Sequence, residues 1–107
     1  MSIQEITFNE ELYDAITEND KVIMYFYTNW NTQCTKFNFY FIKLAQQYSK
    51  NNIVFCKINV DKMPDAQIVY DVNVQMVPRV IFLYKSKIVN SFYGNKPELF
   101  EDFVENF

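Results

Sequence analysis

The segment Lys21-Val-Ile-Met-Tyr-Phe-Tyr27, followed at once by Thr28-Asn-Trp-Asn-Thr-Gln-Cys34, joins two kinds of periodicity. The first seven residues are an almost unbroken apolar and aromatic run rich in β-formers, the pattern of a central strand covered on both faces. From Thr32 to about Lys50 the spacing turns helical, with Phe37, Phe41, Leu44, Ala45 and Tyr48 on one stripe.

On either side the segments keep alternating. Ile3 to Thr7 reads as a short strand, and Asn9 as the N-cap of a helix whose inner face is Leu12, Ala15 and Ile16. Asn51-Asn52 ends the long helix, Ile53 to Asn59 is a second buried strand, and Pro64 suits the first turn of a short helix to Tyr70. After Pro78, Val80 to Tyr84 and Ile88 to Phe92 are strands joined by a turn at Lys85–Lys87. Pro97 opens a last helix with Leu99, Phe100, Phe103, Val104 and Phe107 inward. Strands separated by helices run parallel through right-handed crossovers, and the last two form a hairpin. The expectation is one α/β domain over 1–107, a mixed sheet flanked by helices on both faces.

Composition narrows the chemistry. Half of the 107 residues are apolar and 19% aromatic, which excludes disorder. A chain of this length buries about 65% of its unfolded surface, enough for a core without staples. The net charge is −3 with no basic cluster, so no nucleic-acid partner is expected. No apolar run reaches the ~18 residues of a membrane span. The first residues lack a basic-then-apolar pattern, so no signal peptide is read and a cytoplasmic location follows if Met1 is the native start; a trimmed organellar or secretory precursor remains open. With no histidine there is no imidazole base and no histidine metal ligand. Two cysteines alone do not make a zinc site, so neither metal nor cofactor is expected.

Trp30-Asn31-Thr32-Gln33-Cys34 resembles the Trp-Cys-Gly-Pro-Cys motif of the thioredoxin family, with Asn31 at the first cysteine. Further matches follow in order: Lys57-Ile58-Asn59-Val60-Asp61 at the end of the next strand, Val77-Pro78 before the hairpin, and Gly94 before the last helix. The resemblance runs from Ile3 to Phe107 and implies the thioredoxin fold. It also implies a cis bond at Val77–Pro78 and backbone pairing of the residue before the proline with an extended substrate. Trp30, Val77, Pro78, Tyr93 and Gly94 would then line a shallow apolar groove suited to a protein or peptide partner. Arg79 adjoins it, as an acidic-partner contact or as a solvated charge at a strand end. Against the family pattern, Thr32-Gln33 replaces Gly-Pro, Tyr25 takes the place of the buried acid, and Phe39 that of the helix-kinking proline.

Dithiol exchange needs an outer thiolate to attack and an inner thiol to resolve the mixed disulfide. A carboxamide at Asn31 does neither, so the two-electron cycle cannot close. Asn31 is either a helix cap or a direct substrate contact. Cys34 is either a small apolar residue kept for packing or a monothiol nucleophile; burial raises its pKa, the helix N-terminus lowers it, and burial is expected to prevail. Strand alternation from Lys57 sends Cys56 to the other sheet face, disfavouring a disulfide with Cys34. Lys57, without the family acid, should reach water or lie on an aromatic face such as Tyr25. The run Phe37-Asn38-Phe39-Tyr40-Phe41 exceeds what one helix face buries, so the helix is packed on two sides or exposes a partner patch. The functional expectation is a thioredoxin-like module with a degenerate site that binds extended polypeptide. Its rivals are a monothiol redox protein acting through Cys34 and a complex subunit attached by the aromatic helix.

Overall fold

The computed structural model describes residues 3–107; Met1, and with it the question of the native start, lies outside the described residues. Five strands and four helices follow in the order β1 (Ile3–Ile6), α1 (Asn9–Glu18), β2 (Lys21–Tyr27), α2 (Thr32–Gln47), β3 (Ile53–Asn59), α3 (Pro64–Val69), β4 (Arg79–Tyr84), β5 (Lys87–Tyr93) and α4 (Pro97–Glu105). The sheet order is β1-β3-β2-β4-β5. β2 lies at its centre, parallel to β3 and antiparallel to β4, and the β4–β5 hairpin closes one side. This is the mixed α/β sheet expected from the alternation of periods.

Alternation along β2 divides the core into two layers. Val22, Met24 and Phe26 join Leu12 and Ala15 of α1 and Ala66 of α3 on one face. Ile23 and Tyr25 join Phe37, Phe41 and Leu44 of α2 and Phe100 and Val104 of α4 on the other. The second layer is an aromatic stack: the Phe37 and Phe100 ring centroids lie 5.1 Å apart, and those of Tyr25 and Phe41 4.7 Å.

Two local expectations are corrected. Asn9 is the first residue of α1, with Phe8 at the cap position. The work of the cap is done from inside the helix, where Glu11 Oε1 accepts from the main-chain N–H of Thr7 and Phe8 and from the Thr7 hydroxyl. Those bonds hold the Glu11 carboxyl below its ordinary pKa. The long helix ends at Gln47 rather than near Lys50, closed by Tyr48, whose N–H donates to Leu44 O at 2.9 Å. As strand alternation implies, Cys56 points away from Lys57 into the layer of Met24 and Phe26, while Cys34 borders that layer and opens on the pocket lined by Tyr25 and Lys57. Cys56 pairs with Met24 in mid-strand, whereas Cys34 sits beyond the end of β2, about 13 Å further along at the usual strand rise to Thr28. Both thiols are free.

Candidate functional site

The site is built where β2 ends and α2 begins. Asn31 is the N-cap of α2, with extended backbone, and its Oδ1 accepts from the N–H of Gln33 at 2.8 Å and of Cys34 at 3.1 Å. Two of the four N–H groups that a helix start leaves without partners are thereby bonded. Trp30, one residue earlier, is 59% exposed, and its indole N–H donates to Asp61 Oδ2 at 2.8 Å, which pins the ring to the loop after β3. Sequence reasoning left Asp61 without a role; the Lys57–Asp61 match was the signal that could have supplied one.

Cys34 is 2% exposed, in the first turn of α2. Beside it lies a pocket of about 130 Å³ lined by Tyr25, Thr28, Asn38 and Lys57 among others. Burial is the largest influence on the thiol and raises its pKa; a hydrogen bond from the Thr28 main chain, the Tyr25 hydroxyl and the Lys57 ammonium all pull the other way and are outweighed. Lys57 is the cation that the local sequence around Cys34 could not reveal. It comes from β3, where it pairs with Tyr25 across the ladder. Its ammonium lies 4.4 Å from the Tyr27 ring centroid and 5.9 Å from that of Tyr25, so Tyr27 is its main aromatic face. The Tyr27 hydroxyl donates to Glu5 Oε2 at 2.9 Å, and Glu5 is the β1 partner of Lys57. A carboxylate therefore does lie in this neighbourhood, supplied by β1 instead of position 25. Burial raises the pKa of both tyrosines, so Tyr25 stays protonated and donates to Cys34 O at 3.1 Å.

The strand register gathers the second half of the site. Phe26 pairs with Arg79, and Arg79 with Tyr93, so the end of β2, the start of β4 and the end of β5 meet at one end of the sheet. The Val77–Pro78 peptide bond is cis. Gly94, with φ of +95°, donates its N–H to Pro78 O at 2.7 Å, tying the two loops together; a side chain at that φ would be strained. Val77 and Pro78 are themselves buried, so this end of the sheet offers exposed apolar surface through Trp30, Tyr93 and Met76. Met76 was not among the expected groove residues, because nothing in its local pattern marks it. Arg79 turns along the sheet, with Nη2 donating to Ser91 Oγ at 3.3 Å. On α2, Phe39 is exposed and packs edge-on against Tyr40, while Phe37 and Phe41 are buried, so the aromatic run splits between core and surface.

Cys56 is an ordinary core residue, its thiol pushed up to about 12 by burial. Among the described residues no helix is long and apolar enough to cross a membrane.

Comparison with known proteins matches residues 1–106 to the family described as Thioredoxin. The monothiol glutaredoxin-4 of Schizosaccharomyces pombe is 28% identical over 106 residues, covering 96% of this chain but only 41% of that protein. The mitochondrial thioredoxin-3 of Saccharomyces cerevisiae is 27% identical, over 98% of this chain and 80% of its own length. A structure of the oxidised form of mitochondrial thioredoxin 3 from Saccharomyces cerevisiae superposes with a TM-score of 0.87 at 25% identity, covering 99% of this chain and 96% of that one.

Proposed function

The chain belongs to the thioredoxin family, and from that membership we propose that it is a degenerate member that binds extended polypeptide beside Pro78 without dithiol reductase chemistry. The observation that carries this reading is Asn31 in the outer position, its carboxamide committed to the N–H groups of Gln33 and Cys34. A capped carboxamide stores no electrons and offers no leaving sulfur, so a disulfide cannot be passed through the site. The parts that would hold a peptide are present beside it. The cis Val77–Pro78 bond, the Gly94 tether and the exposed faces of Trp30 and Tyr93 meet at one end of the sheet. Main-chain pairing there would give affinity, and the aromatic faces would favour apolar side chains.

A catalytic assay tests the chemical half of the proposal. With dithiothreitol as electron source, the wild-type chain should give no turnover in insulin disulfide reduction. Asn31→Cys should create measurable turnover, because it puts a thiol at the α2 N-terminus three residues before Cys34. That gain should stay below an ordinary thioredoxin's, since Tyr25 supplies no carboxylate; adding Tyr25→Asp should raise it. Wild-type turnover equal to that of Asn31→Cys would end the proposal.

A second reading rests on Lys57. Its ammonium favours the Cys34 thiolate, and one relative is named a monothiol glutaredoxin. On that reading Cys34 alone forms mixed disulfides, and rapid labelling of Cys34 in the folded protein would favour it.

A further inference from the structure

On the sheet face opposite α2, an apolar groove of about 380 Å³ runs between α1 and α3. Its walls are Leu12, Tyr13 and Ile16 from one helix and Ala66, Val69 and Tyr70 from the segment of the other. One end is closed by Asn9 Nδ2 donating to Asp65 Oδ2 at 3.0 Å, the other by the Ser86 hydroxyl on Ile16 O at 3.4 Å. Ser86 lies in the β4–β5 turn, at the end of β4 remote from Pro78, so the groove is separate from the peptide site. Its apolar rim is open: Tyr13 is 68% exposed and Val69 69%. Scattered exposed apolar residues need no explanation, but two on the opposite walls of one apolar groove form a patch.

The walls decide what kind of segment fits. Both are helices, so an occupant finds no strand edge to pair with. It must enter by its side chains, which is how an amphipathic helix lies in a groove.

Charge decides the chemistry of the occupant. α1 holds four of the chain's thirteen carboxylates, Glu10, Glu11, Asp14 and Glu18, and none of its ten cations. Without α1 the chain would be one charge positive. Glu18 stands in the last turn, where a carboxylate opposes the helix dipole, so the helix itself does not benefit from it. At the helical period, exposed Glu10 follows Thr17 outward around α1, bordering the groove, and Asp65, bonded to Asn9, borders it from α3; Asp14 faces the other flank of α1, with Glu11 and Glu18. The nearest cations in sequence are Lys21 after α1, Lys62 before α3 and Lys85 beside Ser86; the Lys21 ammonium lies 5.9 Å from the Phe107 ring centroid and that of Lys85 5.5 Å from the Tyr84 ring centroid. A second copy docked face to face would set one acidic α1 on another.

We propose that the α1–α3 groove docks a basic amphipathic helix of a partner protein. Its apolar side chains fill the space beside Tyr13 and Val69, and its lysines or arginines face Glu10 and Asp65.

A fluorescein-labelled amphipathic peptide of leucine and lysine, and its leucine and glutamate counterpart, serve as probes of the full chain by anisotropy and ¹⁵N amide shifts. The lysine peptide should bind saturably, shift amides of α1 and α3, and leave the Trp30 indole signal in place. Affinity should drop about tenfold in Tyr13→Ser/Val69→Ser and about tenfold in Glu10→Lys/Asp65→Lys, and should weaken as salt rises. These side chains are exposed, and circular dichroism checks that each variant folds. Four results would overturn the proposal: no saturable binding, equal binding of the glutamate peptide, shifts confined to Trp30 and Val77, or a dimer in sedimentation that the Tyr13→Ser/Val69→Ser change disperses.

Discussion

At Cys34, three groups favour the thiolate and burial opposes them, and burial prevails. Two consequences can be measured. Only the thiolate is nucleophilic, so Cys34 should react with iodoacetamide at neutral pH far more slowly in the folded chain than in the denatured one. Its rate should rise with a midpoint above the ~8.5 of a free thiol; rapid native labelling with a midpoint below neutrality would contradict this. The same shift links folding to pH. A thiol whose folded pKa exceeds its unfolded value contributes stability that is fully present below the unfolded pKa and is lost as pH rises toward the folded one. Cys56, pushed up to about 12, acts in the same direction, so the chain should weaken from about pH 8.5 upward.

At the scale of the element, α2 depends on Asn31 for its start, with acidic residues absent from its first turn. Asn31→Ala should destabilise the chain by about 1 kcal/mol, and Asn31→Asp, which keeps the acceptor and adds a negative charge at the helix N-terminus, should cost nothing. Chemical denaturation of the three proteins checks this; equal stability of wild type and Asn31→Ala would mean the two hydrogen bonds contribute nothing net. The elements themselves were legible in the chain. β2 and β3 are too apolar to be anything but covered strands, and the stripe of α2 has one inner face. What could not be read were choices made between neighbours in space. Asn9 has the chemistry of a cap, yet Glu11 reaches back to Thr7 and Phe8, and Asn9 bonds Asp65 instead. Lys57 was expected on Tyr25, but the ladder brings it closer to Tyr27, whose own hydroxyl is held by Glu5. Asp61 and Met76 entered the site through loops, where no periodicity announces a contact.

The whole molecule sets its site at one end of a rigid central strand. Tyr25 and Phe26 are fully buried between the two core layers, so the loop carrying Trp30 and Asn31 starts from a fixed point. The β4–β5 hairpin brings Val77, Pro78 and Gly94 to the same end. On the proposed reading such a frame would hold a peptide whether or not a thiol takes part, and that separation of binding from sulfur chemistry is the centre of the proposal. It is tested most directly with insulin B chain in two forms, one S-carboxymethylated and one oxidised to a disulfide, followed through the emission of Trp30. The carboxymethylated chain, which has no sulfur to exchange, should bind reversibly. Its affinity should be unchanged in Cys34→Ala and reduced at least tenfold in Pro78→Ala, about 1.4 kcal/mol or more. Failure of the carboxymethylated chain to bind, together with a covalent adduct to the oxidised chain that disappears in Cys34→Ala, would contradict it and leave the chain a monothiol redox protein.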